Sequence, residues 1–262
     1  MSAQPRNMAG ATELGGGFIL VERQDGECAV LAPHVQSAGV LGMMSPKSVN
    51  ARSESEVSNW LHRWNILSDG PYARVHQVHG TAVLRVPPLD ADAQADGMWS
   101  DAPDQVLGIK AADCAPVWLV DTASQRFALL HAGWRGAAAG IIQSGVEALR
   151  RNGSDPAELV VAIGPHLQAC CFEVGPEVAE QFSKWPSALL PASRLVTQHQ
   201  RSDSFALDLA AVICEQLRTA GVRDEEIFTA TACTRCNGAI FHSYRRNGAG
   251  GPLMAAIAAR RA

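Results

Sequence analysis

The sequence predicts a mixed α/β (α+β) fold in which helices pack on the outside of a mixed β-sheet. Short apolar segments typical of strands occur together with amphipathic segments typical of helices. Their order does not follow the strict strand–helix–strand repeat of a purely parallel sheet. With 262 residues, 47% of them hydrophobic, the chain can bury a sizeable core. We therefore expect a single domain over residues 1–262, with a poorly patterned N-terminal region at residues 1–16.

The first half of the chain is predicted to contain two strand pairs and one helix. Turn residues, helical spacing of apolar side chains and prolines that end strands mark these elements. In chain order they are a hairpin around Asp25-Gly26, an unpatterned stretch at 34–55, a helix at 57–67, a strand pair at 73–86 bent near His79-Gly80, and a polar linker at 91–103.

The second half has the clearest pattern. Left-handed residues after helices and proline at a first helical position mark the boundaries there. In chain order the predicted elements are a strand hairpin at 114–120 and 126–132, a helix at 136–151 closed by Asn152-Gly153, a strand at 157–164, and helices at 176–185 and 207–221.

Composition limits the partners and the compartment. The net charge of -4 gives no electrostatic reason to expect nucleic acid or an anionic membrane as a partner, so a small-molecule substrate fits better. There is no apolar run of membrane-spanning length and no signal-peptide core at the N-terminus, so a cytoplasmic location is expected. Seven cysteines scattered through the chain are expected to be reduced thiols.

Three residues form a candidate metal site, namely His79 in HQVHG, Cys114 in AADCAPV and His131 in HAGWRG. Two imidazoles and one thiolate suit zinc, and three protein ligands leave the fourth tetrahedral position open, which favours catalysis. An unbulged hairpin centred between Thr122 and Ala123 would place Cys114 directly opposite His131, close enough to share an ion. Each residue alone has a simpler interpretation, a sheet histidine or a buried thiol.

Residues near this triad suggest substrate binding. His76 is expected to point away from the site, because residues three apart in a strand face opposite sides. Arg135 lies at a helix start after His131, where backbone N–H groups and a guanidinium could hold an anion; a surface ion pair is the alternative. The run 242–248, which contains Arg245, is interpreted as either a clamp for phosphate or carboxylate or a solvated turn.

Four other cysteines raise a rival metal site. Cys233 and Cys236 form a CxxC motif, and Cys170 and Cys171 are adjacent. A closed four-cysteine zinc site usually uses two separated chelating pairs, and neighbouring residues do not easily both reach one ion. Packed thiols are therefore the favoured interpretation.

Several motifs in order resemble the laccase-domain, or multicopper polyphenol oxidase, family, which is also described as bacterial purine nucleoside phosphorylases and peptidoglycan editing factors. The match covers about residues 70–260 and rests on HQVHG, ADG at 95–97, ADC, HAGWRG, IGP followed by CCFEVGPEV, LDL, and CT with SYRR. Two departures concern substrate preference: the N-terminal glycine-rich pattern is poorly matched, and Phe172 replaces the usual tyrosine.

The resemblance implies an α/β/β/α layered fold and a zinc ion held by His79, Cys114 and His131. It also implies phosphorolysis of adenosine, inosine and methylthioadenosine, with adenosine deamination as a further activity. Our candidate catalytic residues are Cys114, His131 and Asp113. The candidate substrate-binding residues are Arg135, Arg245 and Glu173, with Asp113 or Glu173 as proton carrier.

Three other functions remain open. A zinc amidase could remove L-serine from a UDP-MurNAc cell-wall precursor, and a copper oxidase could act on polyphenols. Eight histidines without a paired HxH motif argue against a multicopper cluster, although copper in the open site would explain weak oxidation. A metal-stabilised binding protein is the non-enzymatic alternative.

Overall fold

A computed structural model describes residues 8–67, 72–88, 92–124, 126–196 and 203–260. Fifteen strands lie in these ranges. They are β1 (Met8–Gly15), β2 (Phe18–Arg23), β3 (Cys28–Ala32), β4 (Val40–Met44), β5 (Val83–Arg85), β6 (Gly97–Ser100), β7 (Val106–Ala111), β8 (Ala115–Asp121), β9 (Phe127–Ala132), β10 (Leu159–Ile163), β11 (Glu173–Val174), β12 (Leu189–Pro191), β13 (Phe205–Leu207), β14 (Ile227–Thr229) and β15 (Met254–Arg260).

Seven α-helices accompany the strands in the described ranges. They are α1 (Pro33–Ser37), α2 (Glu54–Arg63), α3 (Trp134–Ala139), α4 (Ile141–Arg151), α5 (Pro176–Ala179), α6 (Leu209–Thr219) and α7 (Tyr244–Asn247). Two of the longer ones, α2 and α6, begin at side-chain caps: Ser53 accepts a hydrogen bond from the N–H of Glu56, and Asp208 from that of Ala211. No helix in the described part of the chain is long and apolar enough to cross a membrane.

The strands form two large sheets and one small one. The first sheet has the order β1-β2-β3-β4-β15-β7, and all its pairs are antiparallel. The second has the order β14-β10-β8-β9-β6-β5 and is mixed, because both edge strands pair in parallel with their neighbours. The small sheet is β11-β13-β12.

Three apolar layers show how the sheets and helices stack. One layer contains Met44, Trp118 and Phe127 and lies between the two large sheets. A second, with Trp60, lies between α2 and the outer face of the first sheet. The third, with Ile142, lies between the second sheet and the helices α3, α4 and α6. The chain therefore has the expected mixed α/β fold in the α/β/β/α layered arrangement.

Several predicted elements are confirmed. The hairpin at Asp25-Gly26 is β2 and β3, and Gly26 has the left-handed φ of +80° that the turn requires. Strands predicted at 114–120, 126–132 and 157–164 are β8, β9 and β10, and the helix predicted at 207–221 is α6.

Other predictions were wrong at the N-terminal side. The unpatterned stretch 34–55 contains β4, which lies between β3 and β15, and the supposed linker 91–103 contains β6, buried beside β9. Residues 73–86 form one short strand, β5, and only isolated bridges at Ala73 and His76 instead of a strand pair. Short strands buried on both faces lack the alternating pattern that marks a half-exposed strand.

Helix boundaries also differ from those predicted. The helix expected at 136–151 is divided into α3 and α4 at Gly140, whose φ of +101° breaks the helical path. The helix expected at 176–185 stops after α5 and continues as a 3₁₀ turn. Within the N-terminal region 1–16, the described part forms the edge strand β1, and residues 1–7 lie outside the described residues. This strand is held by its ladder with β2, so its sequence needs no alternating pattern.

Candidate metal centre

His79, Cys114 and His131 meet at one end of the second sheet. Their ligand atoms all lie within 4.8 Å of one another. The two imidazole rings meet edge to face, with centroids 5.0 Å apart. Cys114 precedes β8, His131 is near the end of β9, and His79 lies on the loop before β5. The convergence of these three side chains, which the sequence predicted, is confirmed.

The hairpin register that brings Cys114 and His131 together differs from the predicted one. Pro116, not Cys114, pairs with His131, and Ala115 pairs with Ala132. The shift arises because the Asp121 carboxylate accepts hydrogen bonds from the N–H groups of Ala123 and Ser124, which moves the turn toward the C-terminal strand. The two ligands are therefore diagonal neighbours across the hairpin.

Gly133 provides the space that this diagonal arrangement needs. A Cβ atom at Gly133 would lie 2.9 Å from the Cys114 Sγ and 3.1 Å from the His79 Cδ2. Any larger residue would push the thiol and the imidazole apart. Gly133 of HAGWRG thus has a packing role in the site, and it is also the N-cap residue of α3.

Asp96 joins the loop of His79 to the ring of His131. Its Oδ1 accepts hydrogen bonds from His131 Nδ1 at 2.8 Å and from the His79 N–H at 3.0 Å. Its Oδ2 accepts from the N–H groups of Val78 and Gly80 at 3.1 and 2.6 Å. These bonds hold His79 in a left-handed conformation with φ of +60° and leave His131 Nε2 as the ring nitrogen that can bind a metal.

The charges of these residues reinforce one another. Burial alone would raise the pKa of Cys114, but the neighbouring His131 and His79 lower it to about 6. Burial would lower the pKa of His131, but Cys114 and Asp96 raise it. Burial would also raise the pKa of Asp96, yet His131 and the N–H groups of Gly80 and Val78 hold it below its ordinary value. The site therefore favours a thiolate, the form that binds metals.

The donor set fits a catalytic metal ion. His131 is only 3% exposed, Cys114 is partly buried and His79 is exposed, so the site opens to solvent on one side. Two imidazoles and a thiolate with a carboxylate behind one imidazole match the ligand chemistry of zinc, with copper as the alternative. The metal and the role of each residue remain predictions.

Asp113, predicted as a catalytic residue, binds the C-terminal segment. Its Oδ1 accepts from Thr234 Oγ1 at 2.6 Å, and its Oδ2 accepts from Ser243 Oγ at 3.0 Å and from the Arg245 N–H at 2.7 Å. Three donors on one carboxylate fix its orientation and tie residue 113 to the C-terminal segment. This arrangement fits a residue that positions its neighbours.

Two of the predicted substrate-binding residues, Arg135 and Arg245, lie on segments that adjoin triad residues: α3 begins just after His131, and the Arg245 N–H bonds to Asp113. Arg245 is exposed, lies 5.5 Å from the centre of the Phe172 ring and donates from Nη1 to the Glu173 carbonyl at 3.1 Å. Arg135 is exposed in the first turn of α3, 4.2 Å from the centre of the Trp134 ring. Both guanidinium groups are thus oriented by aromatic rings.

Sequence reasoning missed Asp96. The residue belongs to the ADG motif at 95–97, yet it fell inside the predicted linker and received no role. An aspartate that is 0% exposed is rare unless it is paired. The signal that could have identified it is an acidic residue directly before a short apolar run, since metal-binding histidines commonly donate to a carboxylate.

The structure also brings together the four cysteines for which packed thiols were the favoured interpretation. The Sγ atoms of Cys170, Cys171, Cys233 and Cys236 all lie within 4.8 Å of one another. The described residues therefore contain two groups that could hold a metal ion.

Comparison with known proteins agrees with the fold. The model of the family described as multi-copper polyphenol oxidoreductase laccase matches residues 49–260. Purine nucleoside phosphorylase YlmD of Geobacillus stearothermophilus is 33% identical over 196 residues, 70% of each chain. Adenosine deaminase RL5, from an unknown prokaryote, is 36% identical over 55% of this chain and 53% of its own. The crystal structure of Geobacillus YlmD superposes with a TM-score of 0.75 at 26% identity, over 93% of this chain and 96% of that one.

Proposed function

Because the chain belongs to the family described as multi-copper polyphenol oxidoreductase laccase, we propose that it is a zinc-dependent purine nucleoside phosphorylase with adenosine deaminase activity. Its substrates would be adenosine, inosine and methylthioadenosine. The observation that carries the proposal is the open triad of His79, Cys114 and His131 in a chain whose relatives bear the names purine nucleoside phosphorylase and adenosine deaminase.

Phosphorolysis sets the demands on this site. A phosphate oxygen bonds to the ribose C1′ while the bond from C1′ to the purine nitrogen breaks, and the departing purine takes up a proton. The residues must therefore hold a dianion beside the sugar and supply the proton. The chemistry that zinc supplies when bound is Lewis acidity toward an oxygen or nitrogen atom in the site.

We assign phosphate binding to Arg135 and Arg245. Both side chains are exposed, and each is oriented by an aromatic ring, so little side-chain freedom is lost on binding. Asp113 acts as a positioning residue, because its carboxylate accepts the backbone N–H of Arg245. The Glu173 carbonyl accepts a hydrogen bond from Arg245. Glu173 is therefore the candidate proton carrier.

Two features argue against a multicopper oxidase. Within the described ranges only one group that could hold a metal contains histidine, and it has two. The whole chain has eight histidines, and a multicopper cluster needs about ten together with a cysteine.

The small-molecule partners we propose are a purine nucleoside and phosphate. The nucleotide-linked cell-wall precursor is the competing substrate, and the proposed location is the cytoplasm.

The experiment is a nucleoside panel with and without phosphate. Purified protein of known zinc content is incubated with adenosine, inosine or methylthioadenosine, and products are separated by chromatography. Free base and ribose 1-phosphate that appear only with phosphate support phosphorolysis, and inosine formed from adenosine without phosphate supports deamination. Absence of both, or full turnover by a zinc-free Cys114→Ala variant, would refute the proposal. Release of L-serine from UDP-MurNAc-L-Ser in phosphate-free buffer would instead support the amidase alternative.

A further inference from the structure

Four cysteines from two distant segments meet outside the triad. Cys170 and Cys171 lie on the turn between β10 and β11, and Cys233 and Cys236 follow β14. The Sγ atom of Cys171 lies 3.8 Å from that of Cys170 and 3.4 Å from that of Cys236, and Cys170 and Cys236 are 3.9 Å apart. Such spacing across a sequence separation of more than 60 residues is produced by the fold.

These distances match the edges of a zinc tetrahedron. Four sulfurs at a Zn–S distance of about 2.3 Å and tetrahedral angles lie about 3.8 Å from one another. A disulfide instead requires two sulfurs at about 2.05 Å, and all seven cysteines in the structure are free. We propose that Cys170, Cys171, Cys233 and Cys236 bind a second metal ion, a structural zinc held by four thiolates.

The backbone explains how two adjacent cysteines reach one ion. The N–H groups of Cys171 and Phe172 both bond to the Gln168 carbonyl, at 2.8 and 3.0 Å. This turn directs the thiols of Cys170 and Cys171 to the same side. The usual objection to neighbouring ligands applies to an extended chain, in which successive side chains point to opposite faces.

The CxxC loop has the features of a metal-binding turn. The Cys233 carbonyl accepts from the N–H of Asn237 at 3.0 Å and from its Nδ2 at 2.9 Å, which closes the loop. The backbone N–H groups of Cys236, Gln168 and Arg235 donate hydrogen bonds to the Cys233 thiol. Backbone donors of this kind stabilise a coordinated thiolate.

A cation offsets the charge of such a site, because one zinc ion and four thiolates sum to a charge of about −2. The guanidinium of Arg246 donates to the carbonyl groups of Thr234 and Arg235 at 3.2 and 2.8 Å, inside the CxxC loop. Cys171 and Cys233 are buried, and Cys236 is exposed, which gives a metal ion access from solvent.

The four-cysteine site would stabilise the triad. Both cysteine-bearing segments bond to Asp113, the neighbour of the ligand Cys114: the Leu167 N–H donates to its carbonyl at 2.9 Å, and Thr234 Oγ1 donates to its carboxylate at 2.6 Å. A metal ion that joins the two segments therefore fixes the backbone around Cys114 and Arg245 without touching substrate.

The test measures zinc per chain in protein purified with reductant. We expect about two zinc ions in the wild type and about one in Cys236→Ala. The matched control is Cys214→Ala, a partly buried thiol on α6 that contacts Thr229 and should keep both ions. Cys114→Ala should also lose one ion, which separates failure of this site from failure of the triad.

A second measurement needs no variant. Cobalt-substituted wild-type protein should show the strong sulfur-to-cobalt charge-transfer absorption of a four-thiolate site, well above that of one thiolate. A wild type with a single zinc that Cys114→Ala removes and Cys236→Ala retains would overturn the proposal. So would thiol titration of the denatured, unreduced protein that finds fewer than the seven thiols of the sequence, because a disulfide would then occupy the cluster.

Discussion

At the scale of single residues, Asp96 controls the geometry of the triad more than any ligand does. Its buried carboxylate accepts hydrogen bonds from the His131 ring and from the three successive backbone N–H groups of residues 78–80. The first contact selects which nitrogen of His131 faces the metal, and the others impose the left-handed turn that presents His79. The triad residues themselves were predictable because histidine and cysteine near glycine or proline are visible in the sequence. A supporting aspartate is recognised only from its contacts.

Replacement of this carboxylate should weaken metal binding without unfolding the protein. Asp96→Asn keeps the shape and one acceptor oxygen but removes the charge opposite His131. We expect zinc affinity to fall about 10- to 100-fold, as for other residues that orient a metal-binding histidine. Competition with a chromophoric chelator measures the affinity.

The matched control for this experiment is Asp101→Asn, which alters a partly exposed carboxylate paired with Arg85. This variant should bind zinc as the wild type does. Equal affinity in Asp96→Asn and the control, with both folded by circular dichroism, would show that His131 is oriented without Asp96.

At the scale of elements, the sequence predicted segments with an apolar stripe or a continuous apolar run, and it missed two short strands. The helix α2 was expected at 57–67 from its apolar stripe and forms at Glu54–Arg63. It begins three residues earlier than expected, because Ser53 caps it there. In contrast, β4 and β6 pair on both sides, and β6 is fully buried. One partner of each strand, β15 for β4 and β9 for β6, lies far away along the chain, and no local pattern encodes such pairing.

The short helix α1, also missed, links the first sheet to the edge of the second. His34 on α1 stacks on Phe228 of β14, with ring centroids 3.5 Å apart and nearly parallel planes. Burial lowers the pKa of His34, although a hydrogen bond with the Gly16 backbone partly offsets it. The stacked, neutral ring is therefore the form that the folded protein favours.

This contact predicts an acid-sensitive contribution to stability. Since the pKa of His34 is lower in the folded than in the unfolded chain, the unfolded chain binds more protons, and stability falls as the pH drops below about 6.5. Between pH 7 and pH 5, the free energy of unfolding should fall less in His34→Gln than in the wild type. Urea denaturation at each pH measures it. His62→Gln, which changes an exposed histidine of α2, is the control and should follow the wild type. Identical pH profiles for all three proteins would contradict this prediction.

At the scale of the whole molecule, two sheets face each other across an apolar layer, and polar contacts across it are costly to lose. Residue patterns alone predicted one mixed sheet with helices outside, because they do not show which strands pair across long separations such as β15 with β7. The resemblance supplied the second sheet. Trp118 of β8 bridges the two, since its Nε1 donates to the Ile257 carbonyl of β15 at 2.8 Å.

Removal of that bridge should destabilise the fold while leaving the metal sites intact. Trp118→Phe keeps an aromatic ring between the sheets but deletes the indole N–H and part of the buried surface of a side chain that is 1% exposed. We expect the free energy of unfolding to fall by about 1–3 kcal/mol. Zinc content should not change, because the triad lies at the end of the hairpin and is held by Asp96. The control, Trp185→Phe, changes a partly exposed position and should lower the free energy of unfolding less than Trp118→Phe does. Equal losses in the two variants would mean that the sheets are held together by apolar contact alone.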